Sequence, residues 1–150
     1  MMRPATLEDV PALVELGRLM HAESPRWSRL PYSAERVSST LRTLIESPDG
    51  LVLVADRSGK LVGGILGLMS LDWMSDQRTA QELALFMLPE YRGSITPCRL
   101  VAGLVAWAKI KGAQWIEAGV STGVSVERTA RLYEALGFER SAIVLENRNV

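Results

Sequence analysis

The sequence predicts an α+β domain whose elements run β-α-α-β-β-β-α-β-α-β. Three observations predict it. The run Leu83-Ala84-Leu85-Phe86-Met87-Leu88 is too continuously apolar for a half-exposed ribbon, so it reads as a central strand. Just before it, two apolar runs flank the turn Asp56-Arg57-Ser58-Gly59-Lys60, the pattern of a hairpin. Segments with apolar residues at helical spacing lie on both sides of this strand-rich middle, which is the arrangement of an α+β fold.

Met1–Ala5 reads as a short first strand. Thr6 caps the first helix with Asp9 as a box-like partner, and Val10, Leu13, Val14, Gly17 and Met20 keep its stripe. The helix fades at His21, and Pro25 to Tyr32, with two prolines, Trp27 and Tyr32, is expected as a loop. Ser33 caps the second helix, striped by Val37, Leu41, Leu44 and Ile45 and ended by Ser47-Pro48-Asp49-Gly50. Leu51–Ala55 and Leu61–Trp73 form the hairpin, with Gly63, Gly64 and Gly67 marking a bulge or a close backbone approach. The central strand spans roughly Thr79 to Leu88, and Pro89 ends it because proline cannot donate to a sheet ladder.

Thr96-Pro97 is expected to open the third helix, threonine as N-cap and proline at the first helical position. Leu100, Leu104, Trp107 and Ala108 carry it to Gly112, a left-handed C-cap. A short strand covers Trp115–Val120, Ser125 caps the fourth helix over Val126–Leu136, Gly137 ends it, and Arg140–Leu145 is the last strand. No repeat or linker interrupts the 150 residues, so one domain spanning 1–150 is expected.

Composition narrows the function classes. A hydrophobic content of 47% and a charged content of 23% suit a globular protein. Seventeen basic and seventeen acidic residues balance, which favours neither nucleic acid nor an anionic membrane as partner. No apolar run reaches membrane-span length and no signal-peptide core is visible, so a cytoplasmic protein is expected. Cys98 is the only cysteine and His21 the only histidine, so no internal disulfide, Ser-His-Asp triad or histidine metal site is expected. His21 reads either as a base or as a helix-end surface residue, and Cys98 as a reactive thiol or inert packing. A strand feeding a turn at a helix N-terminus is an anion site, and here Arg92 and Arg99 flank it.

The run Leu85-Phe86-Met87-Leu88-Pro89-Glu90-Tyr91-Arg92-Gly93 resembles the acetyl-CoA-binding motif of GNAT-superfamily N-acetyltransferases. Arg3-Pro4-Ala5-Thr6 leading into the first helix, and Ala130-Arg131-Leu132-Tyr133-Glu134-Ala135-Leu136-Gly137-Phe138, are similar to two further stretches of that family, in its order. The resemblance implies a three-layer α/β/α fold around a mixed, mostly antiparallel sheet. It implies acetyl-CoA as co-substrate, no metal, an amine acceptor, and admits a homodimer. Leu85, Phe86 and Met87 would hold the pantetheine on a splayed strand, and Arg92, Gly93, Ser94, Ile95, Thr96, Cys98 and Arg99 the pyrophosphate. Tyr133 would protonate the departing thiolate. Glu82 is the foremost carboxylate for the base, with Glu117 second. Near the first interhelical loop and the ends of the middle strands, Glu23, Trp27, Tyr32 and Trp73, with Asp72, would form the acceptor pocket.

Four positions depart from the family pattern. Ile95 and Pro97 stand where the phosphate turn has small residues, and Pro97 lacks an N–H. Ser121 stands where one branch carries a glutamate, and Val126 where the family has an asparagine. These departures keep a second reading open beside direct acetyl transfer: a catalytically degenerate CoA-binding or protein-interaction module. An unrelated α+β ligand-binding protein is a third. Tyr133 has a purely structural reading too, as an amphipathic ring packing its helix on the sheet, and loop aromatics such as Trp27 pack against a protein body as readily as they bind ligands.

Overall fold

The computed structural model describes residues 1–150. Its elements are β1 (Met2–Pro4), α1 (Val10–Glu23), α2 (Ala34–Glu46), β2 (Gly50–Arg57), β3 (Lys60–Leu71), β4 (Arg78–Met87), α3 (Thr96–Ile110), β5 (Ile116–Glu117) and α4 (Val126–Glu134). Single 3-10 turns cover Leu7–Asp9, Trp27–Arg29 and Pro89–Tyr91. The five strands form one sheet in sequence order, antiparallel from β1 to β4 and parallel between β4 and β5. This is the expected α+β fold with a mixed, mostly antiparallel sheet.

Both faces of the sheet are covered. Leu51 to Ala55 of β2 are all buried, which explains an apolar run without alternation. On β3, the α-hydrogen side of Gly64 faces Leu13 of α1, while that of Gly67 faces Leu104 of α3. Three residues apart on a strand, these positions point to opposite faces, so α1 and α3 lie on opposite sides. Leu100, Val101 and Leu104 of α3 are completely buried, as is Val10 of α1 at 1% exposure.

Local chemistry fixes several ends. The Thr6 N–H donates to Asp9 Oδ2 at 2.8 Å, and Ser33 Oγ accepts from the Arg36 N–H at 3.1 Å, so both expected starts carry a capping contact. Arg3 clamps Asp9 and Asp56 together, at 2.8 and 3.0 Å, tying β1 to the start of α1 and to the β2–β3 turn. The Arg3 guanidinium, ahead of the Thr6 backbone, holds the Asp9 carboxyl down to about 2. Gly63 is required for a close approach: a Cβ there would stand 2.6 Å from the Phe86 carbonyl oxygen of β4.

Four boundaries differ from the sequence reading. Thr96 is the first residue of α3 and Ile95 its N-cap, because the Thr96 hydroxyl is engaged by Arg57 Nη2 at 3.2 Å instead of by the helix amides. Ser125 takes a left-handed conformation (φ 49°) and makes no side-chain cap. β5 shrinks to two residues. The expected last strand over Arg140–Leu145 does not form, for a strand needs a ladder partner and so short an edge supplies little. Residues 139–150 make no backbone–backbone hydrogen bond; Glu146 instead pairs with Arg26 and Arg29, and Arg140 with Glu127 and Glu134. No helix is long and apolar enough to cross a membrane.

Candidate active site

The cleft begins with one extra residue. Along β3 and β4, Leu66 faces Ala84 and Gly67 faces Glu82, so Leu83 is a bulge on β4. Only Ala80 and Gln81, just before it, pair with β5. Past the bulge β4 runs on without a neighbour on that side, and a cavity of about 360 Å³ opens between it, the loop 119–125, α4 and the end of α1. The Leu88 N–H donates to Val62 O of β3, and strand alternation therefore turns the Met87 amide toward the cleft and the Phe86 amide toward β3. Consistent with this, the Met87 carbonyl accepts from Arg92 Nε at 3.0 Å.

At the cleft floor the Tyr133 hydroxyl donates to Glu82 Oε2 at 3.1 Å. Both residues are buried, Glu82 at 8% exposure and Tyr133 at 4%. Burial pushes the Glu82 carboxyl up to about 7, against the lowering effect of the Tyr133 hydrogen bond and the Gly119 amide. The Tyr133 phenol is driven far above its usual range, first by burial and then by the neighbouring carboxylate. Phe138 packs edge-on against its ring, 5.2 Å between centroids. A carboxylate that titrates near neutrality beside a phenol that stays protonated can accept one proton and donate another.

Arg92 marks the other end. Its two Nη atoms grip both oxygens of Glu23 at 2.5 Å, and its guanidinium lies over the Phe86 ring at 5.7 Å. Arg92 holds the Glu23 carboxyl below the usual carboxylate range, and Glu23 in turn raises Arg92. Beyond Arg92, the amides of Gly93, Ile95 and Cys98 have no acceptor within the chain, which suits an anion. Ser94 lines the cavity, while Gly93, Ile95, Thr96, Cys98 and Arg99 stand outside its wall. Ile95 is 59% exposed, and Pro97 is buried at the wall.

The other expected residues divide. Leu85, Phe86, Met87, Glu23 and Trp27 line the cleft, as does Ser121. Tyr32 does not: its hydroxyl donates to Val14 O at 2.6 Å and its ring packs against His21, because the nearest acceptor is the α1 backbone. Trp73 projects at 89% exposure from the β3–β4 connection, away from the cavity, and Asp72 folds back onto the Met74 amide of that same turn. Glu117 sits on β5 outside the cavity wall. Two contributors went unpredicted. Arg128 lines the cleft and donates to Arg92 O at 3.3 Å; a cation in a helix's first turn, where the dipole favours anions, was the available signal. Ser24, completely buried, donates from Oγ to Thr122 O at 2.5 Å and accepts from the Trp27 N–H at 3.0 Å.

The profile of the Acetyltransferase (GNAT) family matches residues 17–138. The chain belongs to that family. No curated protein matches this GNAT sequence. Among solved structures it is similar to a protein from Bacillus halodurans C-125 described as a transcriptional regulator, with a TM-score of 0.79, 20% identity, and 99% and 98% of the two chains covered. An aminoglycoside N-acetyltransferase solved in complex with CoA superposes with a TM-score of 0.79 at 16% identity, covering 99% of this chain and 93% of its own. An aminoglycoside antibiotic 6'-N-acetyltransferase from Acinetobacter baumannii gives 0.76 at 19% identity, with 100% and 98% covered. At these identities the likeness is one of fold.

Proposed function

We propose that this GNAT protein is a single-domain N-acetyltransferase that moves an acetyl group from acetyl-CoA to a primary amine by direct attack in a ternary complex. The observation that carries the reading is the buried Glu82–Tyr133 hydrogen bond at the floor of a cleft opened by the β4 bulge. The solved neighbour with bound CoA supports the co-substrate, and the aminoglycoside enzymes support an amine acceptor. Acetyl-CoA supplies an activated thioester. The amides of Gly93, Ile95 and Cys98, with Arg92 and Arg128, fit its pyrophosphate, and Leu85 to Met87 line the path of the pantetheine arm.

Within that arrangement, the Met87 N–H donates to the thioester carbonyl oxygen as it gains charge. Glu82, ionised above about 7, takes the proton that the attacking amine must lose. Tyr133 donates its proton to the departing sulfur, and Glu82, now protonated, returns one to the phenol oxygen across their shared hydrogen bond. The amine proton thus ends on the thiol, and both residues regain their starting states. Burial, the main cause of the raised phenol pKa, remains throughout, but the smaller opposing charge on Glu82 is gone when the tyrosine acts, and Glu82 restores the phenol proton.

The test is release of free CoA thiol from acetyl-CoA, measured across a panel of polyamines, aminoglycosides, lysine and N-terminal peptides. One or more amines should accelerate release, and Tyr133→Phe should slow it with CoA affinity unchanged. A second reading, a CoA-binding or interaction module without turnover, is favoured by Pro97 in the phosphate turn and by the fold shared with a protein described as a transcriptional regulator. It predicts a thermal shift with CoA and no amine-dependent thiol release.

A further inference from the structure

Glu23 ends α1 and Arg92 closes the Pro89–Tyr91 turn after β4, yet the two side chains meet in a bidentate pair across the cleft mouth. With the bond to Met87 O, three of the five Arg92 N–H groups are committed. Glu23 accepts from no other residue. The pair is partly exposed, Arg92 at 26% and Glu23 at 33%, so an incoming anion reaches it. The adjacent amides of Gly93, Ile95 and Cys98 have no acceptor within the chain. A pyrophosphate approaching those amides therefore meets a guanidinium already held by an internal carboxylate. That carboxylate both repels it and competes for the same fork of donors. The amides and Arg128 hold the phosphate beside Arg92, its greater negative charge draws the guanidinium over, and the partly exposed Glu23 turns to water, so the exchange favours the ligand.

We propose that Glu23 is an internal competitor for the anion site, holding Arg92 until the pyrophosphate of an acyl-CoA takes it. Losing Arg92 unpins the Glu23 side chain at the last turn of α1, next to the Ser24-anchored loop where Trp27 lines the acceptor side. Occupancy of the cofactor end is thereby transmitted to the acceptor end, and the released Glu23 becomes an unpaired anion facing a cationic acceptor. The inference rests on the acyl-CoA reading given above.

The test uses CoA itself. Calorimetric titration of Glu23→Gln and Glu23→Ala should give binding roughly 2- to 5-fold tighter than wild type, the range for releasing a partly exposed ion pair. In the wild-type protein, saturating CoA should speed amide hydrogen exchange over residues 20–23, the last turn of α1, and in both variants that turn should exchange faster before CoA is added. Equal or weaker CoA binding by both variants overturns the proposal, as does unchanged or slower exchange of 20–23 in CoA-bound wild type. If neither wild type nor variants bind CoA, the acyl-CoA reading itself fails. That outcome is distinct from equal binding, which removes the competitor and leaves the cofactor in place.

Discussion

Replacing Glu82 by glutamine keeps the shape of the cleft floor and an acceptor for Tyr133, and removes one buried ionisable group. Its carboxyl is raised from 4.5 to about 7 by burial. A carboxyl whose folded pKa is raised binds its proton more tightly in the folded state. Stability from this group is therefore full below about 4.5 and is lost as pH rises through about 7. The span corresponds to about 3 kcal/mol. Glutamine carries no such dependence, and every other titrating group is common to both proteins, so the difference isolates Glu82. At pH 5, just above the unfolded value, about 1 kcal/mol is already lost and the two should melt roughly 2–4 °C apart. At pH 8, Glu82→Gln should melt roughly 6–12 °C higher, taking about 2–4 °C per kcal/mol for a chain of this size. Circular-dichroism melts at the two pH values measure it. A gap that does not change with pH would refute the burial argument, and with it the case for Glu82 as a base near neutrality.

Other expectations follow from the same cleft. At saturating acceptor, kcat should rise with pH through about 7 in wild type, and Glu82→Gln should have lost most of that rate and this inflection. Tyr133→Phe should lower kcat about 100-fold while the calorimetric Kd for CoA stays within twofold; a matching loss of affinity would make the tyrosine a packing residue. Pro97→Ala restores an N–H in the first turn of α3 and should tighten CoA binding several-fold, whereas weaker binding would remove that turn from the phosphate site. Gly63→Ala drives a methyl against Phe86 O and should cost roughly 1–3 kcal/mol in denaturant unfolding, with a larger loss in activity than in stability at 25 °C because β4 itself must shift.

What was legible in the sequence was what neighbours in the chain decide. The hairpin around Ser58-Gly59 and the Ser33 cap depend on residues close by and stand where expected, whereas the apolar run of β4 forms a strand but leaves Leu83 exposed and Ala84 to Phe86 half-buried, because it lines a cleft. The α4 motif put Tyr133 in the cleft and the β4 run put Glu82 there. Their mutual hydrogen bond was not readable, because it depends on a bulge at Leu83 set by pairing with β3. Arg140–Leu145 has strand-like composition but only a two-residue edge beside it, a fact about another part of the fold. Tyr32 and Trp73 failed as cleft residues for opposite reasons. One found a carbonyl on its own helix neighbour, and the other sits on a connection that points away from the cleft.

Ser24 joins segments 98 residues apart, its hydroxyl bound to Thr122 O and to the Trp27 amide with no water access. Breaking the first bond would leave the buried Ser24 hydroxyl without its acceptor, so neither segment can peel away alone at low cost. The acceptor loop and the loop ahead of α4 therefore belong to one cooperative opening unit, and slow breathing of the cleft is a joint event of its two walls. A change on either wall alters the opening frequency of the other, and the lifetime of anything enclosed is set by the weaker of the two.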